Sequence, residues 1–151
     1  MGKKMIVRTN RCIVPFNGPV EIGLRAISIL NEAYPVGYSL QRLIILDYLS
    51  VHSDDIVGGP VGLHPKTPHR SGELLVRREV LQQGLRLYMG QGLAEQRFQT
   101  TGVIYAATDR TGAFLDTLQA GYVAELRLKI SWLIETFKES KDDDLNTLVQ
   151  N

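Results

Sequence analysis

One stretch in the middle of this chain constrains its fold more than any other. It reads VLQQGLRLYMGQGLAEQRFQTTGVIYAATDRTGAFLDTL and covers residues 80–118. An amphipathic helix runs into Gly90-Gln91-Gly92, and two short runs of β-type sequence follow, Leu93 to Phe98 and Val103 to Ala107. The turn at residues 99–102 joins the two runs, and further helical periodicity follows them. The order helix, β-hairpin, helix is therefore predicted.

Helical periodicity also precedes this stretch. One helix is predicted from Pro19, whose missing N–H costs nothing in a first turn, and a second from Ser39, a favourable N-cap. A third begins near Glu73 and leads into the hairpin. The pattern predicts a mainly α fold with a small β-hairpin: a winged-helix-like domain with a long inserted loop and a C-terminal helix. A winged helix is a docking surface for DNA or protein, with no catalytic chemistry of its own.

The inserted loop interrupts the helical pattern at residues 53–72. Its sequence, SDDIVGGPVGLHPKTPHRSG, is rich in glycine and proline, and no regular element of useful length fits it. A loop of this length inside a compact domain is uncommon and tends to be functional or disordered. The predicted organisation is an irregular N-terminal segment at 1–18, the winged-helix-like domain at 19–138 and a flexible polar tail at 139–151.

Composition narrows the class of protein. The chain has 151 residues, 44% of them hydrophobic, which suits one domain with a real hydrophobic core. Its 17 basic and 16 acidic residues give a net charge of +1, so the overall charge makes no case for nucleic-acid binding. Cys12 is the single cysteine, which excludes an intrachain disulfide and fits a reducing compartment. With neither a signal-peptide pattern nor an apolar run of about 20 residues, a cytoplasmic protein is predicted.

No catalytic constellation stands out in the sequence. His64 and His69 share the inserted loop, but they lack helical spacing and a clustered third ligand, so packing on the domain surface is favoured over a metal site. The run from Gly58 to Gly62 lacks the ending of a phosphate-binding P-loop. A small hydrolase that uses the histidine loop is therefore not favoured. We predict no catalytic residues, no cofactor and no metal site.

Four arginines form the best hypothesis for DNA contact. Arg77, Arg78 and Arg86 lie on the predicted third helix and Arg97 lies on the hairpin; in a winged helix these elements approach the major groove and the phosphates. Residues 70–110, however, carry six arginines and four acids, and this local excess of two is modest for a DNA reader. A solvated helix face or a protein interface explains the pattern as well.

The sequences of several segments resemble those of one protein family. These segments are Asp47-Tyr48-Leu49-Ser50-Val51-His52-Ser53, Gly59-Pro60, Leu63-His64-Pro65, Thr67-Pro68-His69-Arg70-Ser71-Gly72-Glu73-Leu74 and Val76-Arg77-Arg78, with the later Gly92-Leu93, Gly102-Val103-Ile104-Tyr105-Ala106-Ala107-Thr108-Asp109 and Phe114-Leu115. They are similar to the middle component of ABC-three-component systems over roughly residues 20–137. The loop segments are specific, whereas the hairpin segments would match many winged-helix proteins.

The resemblance implies a function that the residues alone do not. Such middle components are encoded between an SMC-like ABC ATPase and an effector, often a nuclease, as in the Lamassu anti-phage systems. The resemblance implies a non-catalytic accessory subunit that bridges these two partners in a hetero-complex, with DNA reached mainly through the complex. It implies no membrane partner and no small-molecule substrate.

Within the resemblance, the segment from residue 47 to residue 78 is our candidate partner-binding region. It is long, polar and stiffened by proline, so it presents side chains at low entropic cost. The candidate partner-binding residues are Asp47, His52, Asp54, Asp55, His64, His69, Arg70, Arg77 and Arg78.

A stand-alone winged-helix transcription regulator is the alternative. Such a protein would be a homodimer, and its salt-sensitive operator binding would depend on Arg77 or Arg86. The near-neutral net charge of the chain and its long inserted loop argue against this hypothesis. Both hypotheses stay open at the level of the sequence.

Overall fold

The computed structural model of this protein describes residues 18–52, 70–118 and 120–150, apart from the side chains of 70–73 and 148–150. In chain order the elements are α1 (Pro19–Ala33), β1 (Tyr38–Ser39), α2 (Leu40–Val51), α3 (Arg70–Gly90), β2 (Glu95–Gln99), β3 (Gly102–Ala106), α4 (Thr111–Asp116), α5 (Gly121–Phe137) and α6 (Asp142–Gln150). The prediction of a mainly helical fold with a small β-hairpin is confirmed. The predicted N-terminal segment, except Gly18, and most of the predicted inserted loop lie outside the described residues.

The first two helices begin where their capping residues predict. α1 has Pro19 at its first position and Glu21 in its first turn, where a carboxylate favours the positive end of the helix dipole. At the start of α2, the backbone N–H of Arg42 donates to Ser39 Oγ at 3.1 Å. The residues from Arg42 to Val51 are all buried, so α2 is a central helix, as its many-sided apolar sequence predicts.

A glycine–glycine contact sets the distance between α1 and α3. A Cβ atom at Gly84 would lie 2.5 Å from the carbonyl oxygen of Pro19 and 2.8 Å from the Cα of Gly23. A Cβ atom at Gly23 would lie 2.6 Å from the ring of Tyr88. Tyr88 adds a polar contact, since its hydroxyl donates to the carbonyl oxygen of Val20 at 2.9 Å. The two helices therefore approach more closely than residues with side chains would allow.

Three short strands form an antiparallel sheet in the order β1-β3-β2. In the hairpin, Phe98 of β2 lies opposite Val103 of β3. Gly102 at the hairpin turn has a φ of 132°, a conformation that L side chains rarely adopt. The strand β1 is not predicted from the sequence; its Tyr38 pairs with Tyr105 of β3. The hairpin is thus attached to the chain segment between α1 and α2.

The main hydrophobic core lies between the helices α1, α2, α3, α5 and α6. Leu30, Leu43, Leu85 and Leu126 are among its completely buried side chains. Each such side chain contributes about 1.5–3 kcal/mol relative to leaving it in water. A smaller apolar cluster that includes Ile27 supports the segment around the hairpin and α4.

The C-terminal part of the chain differs from its prediction. The predicted C-terminal helix is divided into α4 and α5, and α5 begins at Gly121, a residue type that can bend or divide a helix. Where a flexible polar tail is predicted over 139–151, α6 packs on the core with Leu145 only 1% exposed. Arg42 holds the connection to α6, because its guanidinium donates to the carbonyl oxygens of Phe137 and Ser140, each at 2.6 Å. α6 is thus attached through the buried Leu145 and through polar contacts at its start, where Ser39 Oγ donates to Asp142 Oδ2 at 2.6 Å.

Candidate interaction surface

A buried ion cluster joins three helices at the centre of the fold. Asp47 of α2 is completely buried, and Arg25 of α1 donates from Nε to its Oδ1 at 2.7 Å. Arg77 of α3 donates from Nη1 to Oδ2 of the same carboxylate. Both arginines are also buried. Charges this deep persist only when they are paired and hydrogen-bonded, so the cluster commits all three helices to one arrangement.

The two arginines keep Asp47 ionised. Burial alone would raise the pKa of this carboxyl, but the charges of Arg25 and Arg77 and the hydrogen bonds that they donate hold the pKa below its usual value. Burial alone would likewise lower the pKa of Arg25, and the carboxylate of Asp47 outweighs that effect. At neutral pH the cluster is therefore a fixed set of charges. It joins helices and is not a proton donor or acceptor for catalysis.

Aromatic side chains surround the cluster. The guanidinium carbon of Arg77 lies 5.6 Å from the ring centroid of Tyr48, within the range of a cation–π contact. Tyr48 in turn stacks on His52, with ring centroids 4.4 Å apart. Burial raises the pKa of Tyr122 on α5, and the positive charge of Arg25 acts in the opposite direction. Because Tyr122 belongs to α5, a fourth helix lies near the cluster.

The cluster fixes the N-terminal half of α3. Among the described side chains from Leu74 to Val80, that of Arg77 is the one that is fully buried. The C-terminal half of the helix is held differently, through the buried leucines Leu81 and Leu85. Arg77 is the buried attachment of the first half, beside the partly buried Leu74 and Val80, so Asp47 contributes to the direction in which this half presents its outer residues.

The outward side of α3 is a mixed apolar and charged surface. We call it the α3 outer face and define it as Leu75, Val76, Arg78, Glu79, Arg86 and Leu87. Leu75 is 73% exposed, Val76 is 68% exposed and Leu87 is 48% exposed. Exposed apolar side chains grouped on one helix mark an interaction site more often than isolated ones do. Arg78 and Arg86 form no ion pair with any other residue in the described ranges.

The hairpin adds a second exposed apolar element. Phe98 is 79% exposed, and its cross-strand neighbour Val103 is 39% exposed. Arg97 projects from the opposite side of β2, since side chains alternate along a strand. Its Nε donates to Glu95 Oε2 at 2.9 Å and its Nη1 donates to the carbonyl oxygen of Pro35 at 2.8 Å. This arginine is therefore engaged within the chain.

Three of the predicted contact residues lie in the interior. Asp47, His52 and Arg77 are all less than 5% exposed. Asp47 and Arg77 contact each other across two helices and His52 stacks on Tyr48, so a direct contact with DNA or a partner protein would require this packing to open.

The other predicted contact residues lie elsewhere. Arg78 and Arg86 are exposed on the α3 outer face, and Arg97 is partly exposed on the hairpin. Outside the described residues lie Asp54, Asp55, His64 and His69, together with the side chain of Arg70. For these residues the proposed contacts stay predictions.

Arg25 is not among the predicted contact residues, although the sequence carries a signal for it. Arg25 falls between Ile22 and Ile29 at helical spacing, and therefore within the apolar stripe of α1. Asp47 likewise interrupts a helix that is apolar on most sides. Charged residues are almost never fully buried unless they are paired, so two such interruptions of opposite sign predict a buried ion pair.

The described residues contain no group of three or more His, Cys, Asp or Glu side chains that could hold a metal ion. Across the same ranges, none of the helices combines the length and the apolar character that crossing a membrane requires.

Comparison with known proteins matches the chain to one family profile. The profile described as ABC-three component (ABC-3C) system Middle Component 2 matches residues 15–151. No curated protein and no solved structure matches the chain. The matched range contains every element from α1 to α6, so the ion cluster, the α3 outer face and the hairpin all lie within it.

Proposed function

We propose that this chain, which belongs to the family of ABC-three-component system Middle Component 2 proteins, is a non-catalytic accessory subunit that links an ABC ATPase to an effector. A middle component is one part of a multi-component system, so family membership itself implies protein partners. We further propose that the ATPase is SMC-like and that the effector is a nuclease. The whole system would then be a Lamassu-type anti-phage defence that acts in the bacterial cytoplasm.

The order of the elements supports a winged-helix-like module as the docking unit. The helices α1, α2 and α3 are followed by the hairpin, and β1 lies between the first two helices. The sheet order β1-β3-β2 brings β1 against the hairpin. We propose on this basis that α3 is the helix presented to a partner and that the hairpin is the wing.

The observation that carries the proposal is the exposure of apolar side chains on the α3 outer face. Leu75 and Val76 are both more than two-thirds exposed. A helix that reads DNA gains affinity from several cations that neutralise phosphates. Of the four arginines considered for DNA contact, Arg77 is buried and Arg97 is paired with Glu95. The surface therefore suits a protein partner better than DNA.

The segment from residue 47 to residue 78 is the other proposed contact region, and it runs into the α3 outer face, which it shares at Leu75, Val76 and Arg78. Its candidate residues besides Asp47, His52 and Arg77 are Asp54, Asp55, His64, His69, Arg70 and Arg78. One end of this segment carries Asp47 and the other carries Arg77, so a partner bound between them would act on the ion cluster. We propose that changes in the ATPase, reset by DNA and ATP, reach the effector through this route.

Co-expression tests the proposal directly. The chain is expressed at full length with the ATPase and effector encoded beside it, and the tagged chain is purified at moderate salt. The proposal expects both components to co-purify, and no hydrolase or nuclease activity to be measured for the chain alone. A chain that purifies alone in the presence of both components would contradict it.

A stand-alone DNA-binding regulator is the second candidate, favoured by the unpaired state of Arg78 and Arg86 within the described residues. It predicts a homodimer whose DNA affinity falls steeply with salt and with replacement of Arg86. A gel-shift titration at low salt with mixed-sequence duplexes separates the two functions. The accessory-subunit proposal expects no shift at micromolar protein.

A further inference from the structure

We propose that the outer edge of β2 receives an extended strand from a partner protein, with Phe98 as the apolar contact of that strand. The inference rests on the proposed function and names the surface and the kind of partner that the hairpin would serve.

The strand β2 lies at one edge of the sheet, with one side open. The order β1-β3-β2 makes β2 an edge strand, and its residues Glu95 to Gln99 pair with β3 on one side only. Within the described parts of the chain, no backbone hydrogen bond reaches its other side. An open edge presents a row of N–H and C=O groups that an added strand can satisfy. The opposite edge, β1, has only two residues and offers no comparable template.

The side chain of Phe98 is exposed on one face of this edge strand. Phe98 is the most exposed large apolar side chain of β2, at 79%, and it lies directly opposite Val103 on one face of the hairpin. A strand added beside β2 would place alternate side chains on this face, next to Phe98. Burying an aromatic ring in this way contributes apolar contact area, while the backbone supplies the hydrogen bonds.

The low net charge of the hairpin favours a protein, rather than a nucleic acid or a membrane, as the partner that binds the edge of β2. Glu95 and Arg97 neutralise each other at 2.9 Å, and Arg97 is held further by the carbonyl oxygen of Pro35. The remaining residues from Gln96 to Gly102 are uncharged. Phosphate backbones and anionic membrane surfaces are bound chiefly through cations, which this hairpin does not offer. An extended, weakly charged segment with an apolar residue opposite Phe98 fits it.

Amide hydrogen exchange on the full-length chain tests this inference. Exchange is measured for the chain alone and for its purified complex with the co-expressed ATPase and effector. We expect the amides of residues 95–99 to gain protection in the complex. We also expect Phe98→Ser to weaken binding at least tenfold, on the order of a hot-spot residue, while Leu128→Ser on α5, which is similarly exposed at 74%, leaves it unchanged.

The remaining outcomes each overturn the inference in a distinguishable way. If the complex forms but residues 95–99 gain no protection, the strand proposal is wrong while the accessory role stands. Concentration-dependent protection of the chain alone, with a dimer in solution, would assign the edge to a second copy. Salt-sensitive duplex DNA binding that Phe98→Ser abolishes would assign it to nucleic acid. Failure of the wild-type chain to form any complex would contradict the proposed function and this inference together.

Discussion

The Nε atom of Arg25 lies 2.7 Å from Oδ1 of Asp47, and the two side chains are 1% and 0% exposed. With Arg77 on the other carboxylate oxygen, this contact connects α1, α2 and α3 through one buried anion. Replacing a buried ion pair by apolar groups is often tolerated, but removing one partner leaves the others as uncompensated charges. The cluster therefore contributes less to net stability than to the choice of one helix arrangement, the one that directs the α3 outer face outward.

Asp47→Ala is expected to destabilise the protein strongly. It leaves two buried guanidinium groups without their carboxylate, which costs about 3–5 kcal/mol of unfolding free energy. Urea denaturation followed by circular dichroism measures the loss. The control is Asp116→Ala, whose partner Arg127 lies 3.1 Å away but whose carboxylate is 72% exposed. That exposed pair is worth less than about 1 kcal/mol, so equal losses for the two variants would contradict the role of the cluster.

The dependence of stability on pH follows from the lowered pKa of Asp47. A carboxyl whose folded-state pKa lies below its unfolded value contributes stability above the unfolded pKa, and this contribution is lost as pH falls through the folded pKa. The stability difference between wild type and Asp47→Asn should be flat from pH 7 to about 5 and should shrink below about pH 4. The ¹³C shift of the Asp47 carboxyl gives an independent readout. A midpoint at or above the usual Asp value would refute the assignment.

Gly84→Ala is expected to destabilise the protein, although alanine has the higher helix propensity by about 1 kcal/mol. The new Cβ would lie 2.5 Å from the carbonyl oxygen of Pro19, so the backbones of α1 and α3 must move apart. We expect a net loss of about 1–3 kcal/mol, as for other overpacked sites. Gly121→Ala is the matched control, because nothing lies within 4 Å of its Cβ position. Thermal unfolding compares the two; a stabilised Gly84→Ala variant would be inconsistent with the close helix contact.

Leu145→Ala tests whether α6 is part of the folded core. Leu145 is 1% exposed, and truncation of a buried leucine costs about 2–5 kcal/mol. The exposed Thr147→Ala on the same helix should change the unfolding free energy by less than about 0.5 kcal/mol. Chemical denaturation of both variants checks this, and a Leu145→Ala protein as stable as wild type would show that the helix is not attached to the core.

The long, periodic elements could be predicted from the sequence. The three helices before the hairpin and the hairpin itself follow from apolar spacing, caps and turn residues, all of which are local signals. β1 could not be predicted, because two residues carry no period and Tyr38 pairs only when the distant strand β3 is in place. α6 could not be predicted for a similar reason, since the burial of Leu145 depends on the core that it meets.

The candidate surface was predicted less completely than the fold. The arginines of α3 were identified by charge, but charge alone does not distinguish the buried Arg77 from the exposed Arg78 beside it. The sequence does not mark the neighbouring Leu75 and Val76 as exposed, because an apolar residue in a helix can lie on either face. Which side of α3 is buried is decided by tertiary contacts, chiefly Asp47 and the close approach to α1.

The most direct test of an accessory role through the α3 outer face is the affinity of the chain for its co-expressed partner complex. The Leu75→Ser/Val76→Ser double variant is compared with wild type and with Leu128→Ser, after circular dichroism has shown equal unfolding midpoints for all three. The account predicts at least a tenfold loss of affinity for the double variant and none for Leu128→Ser. Wild-type affinity in the double variant would contradict it.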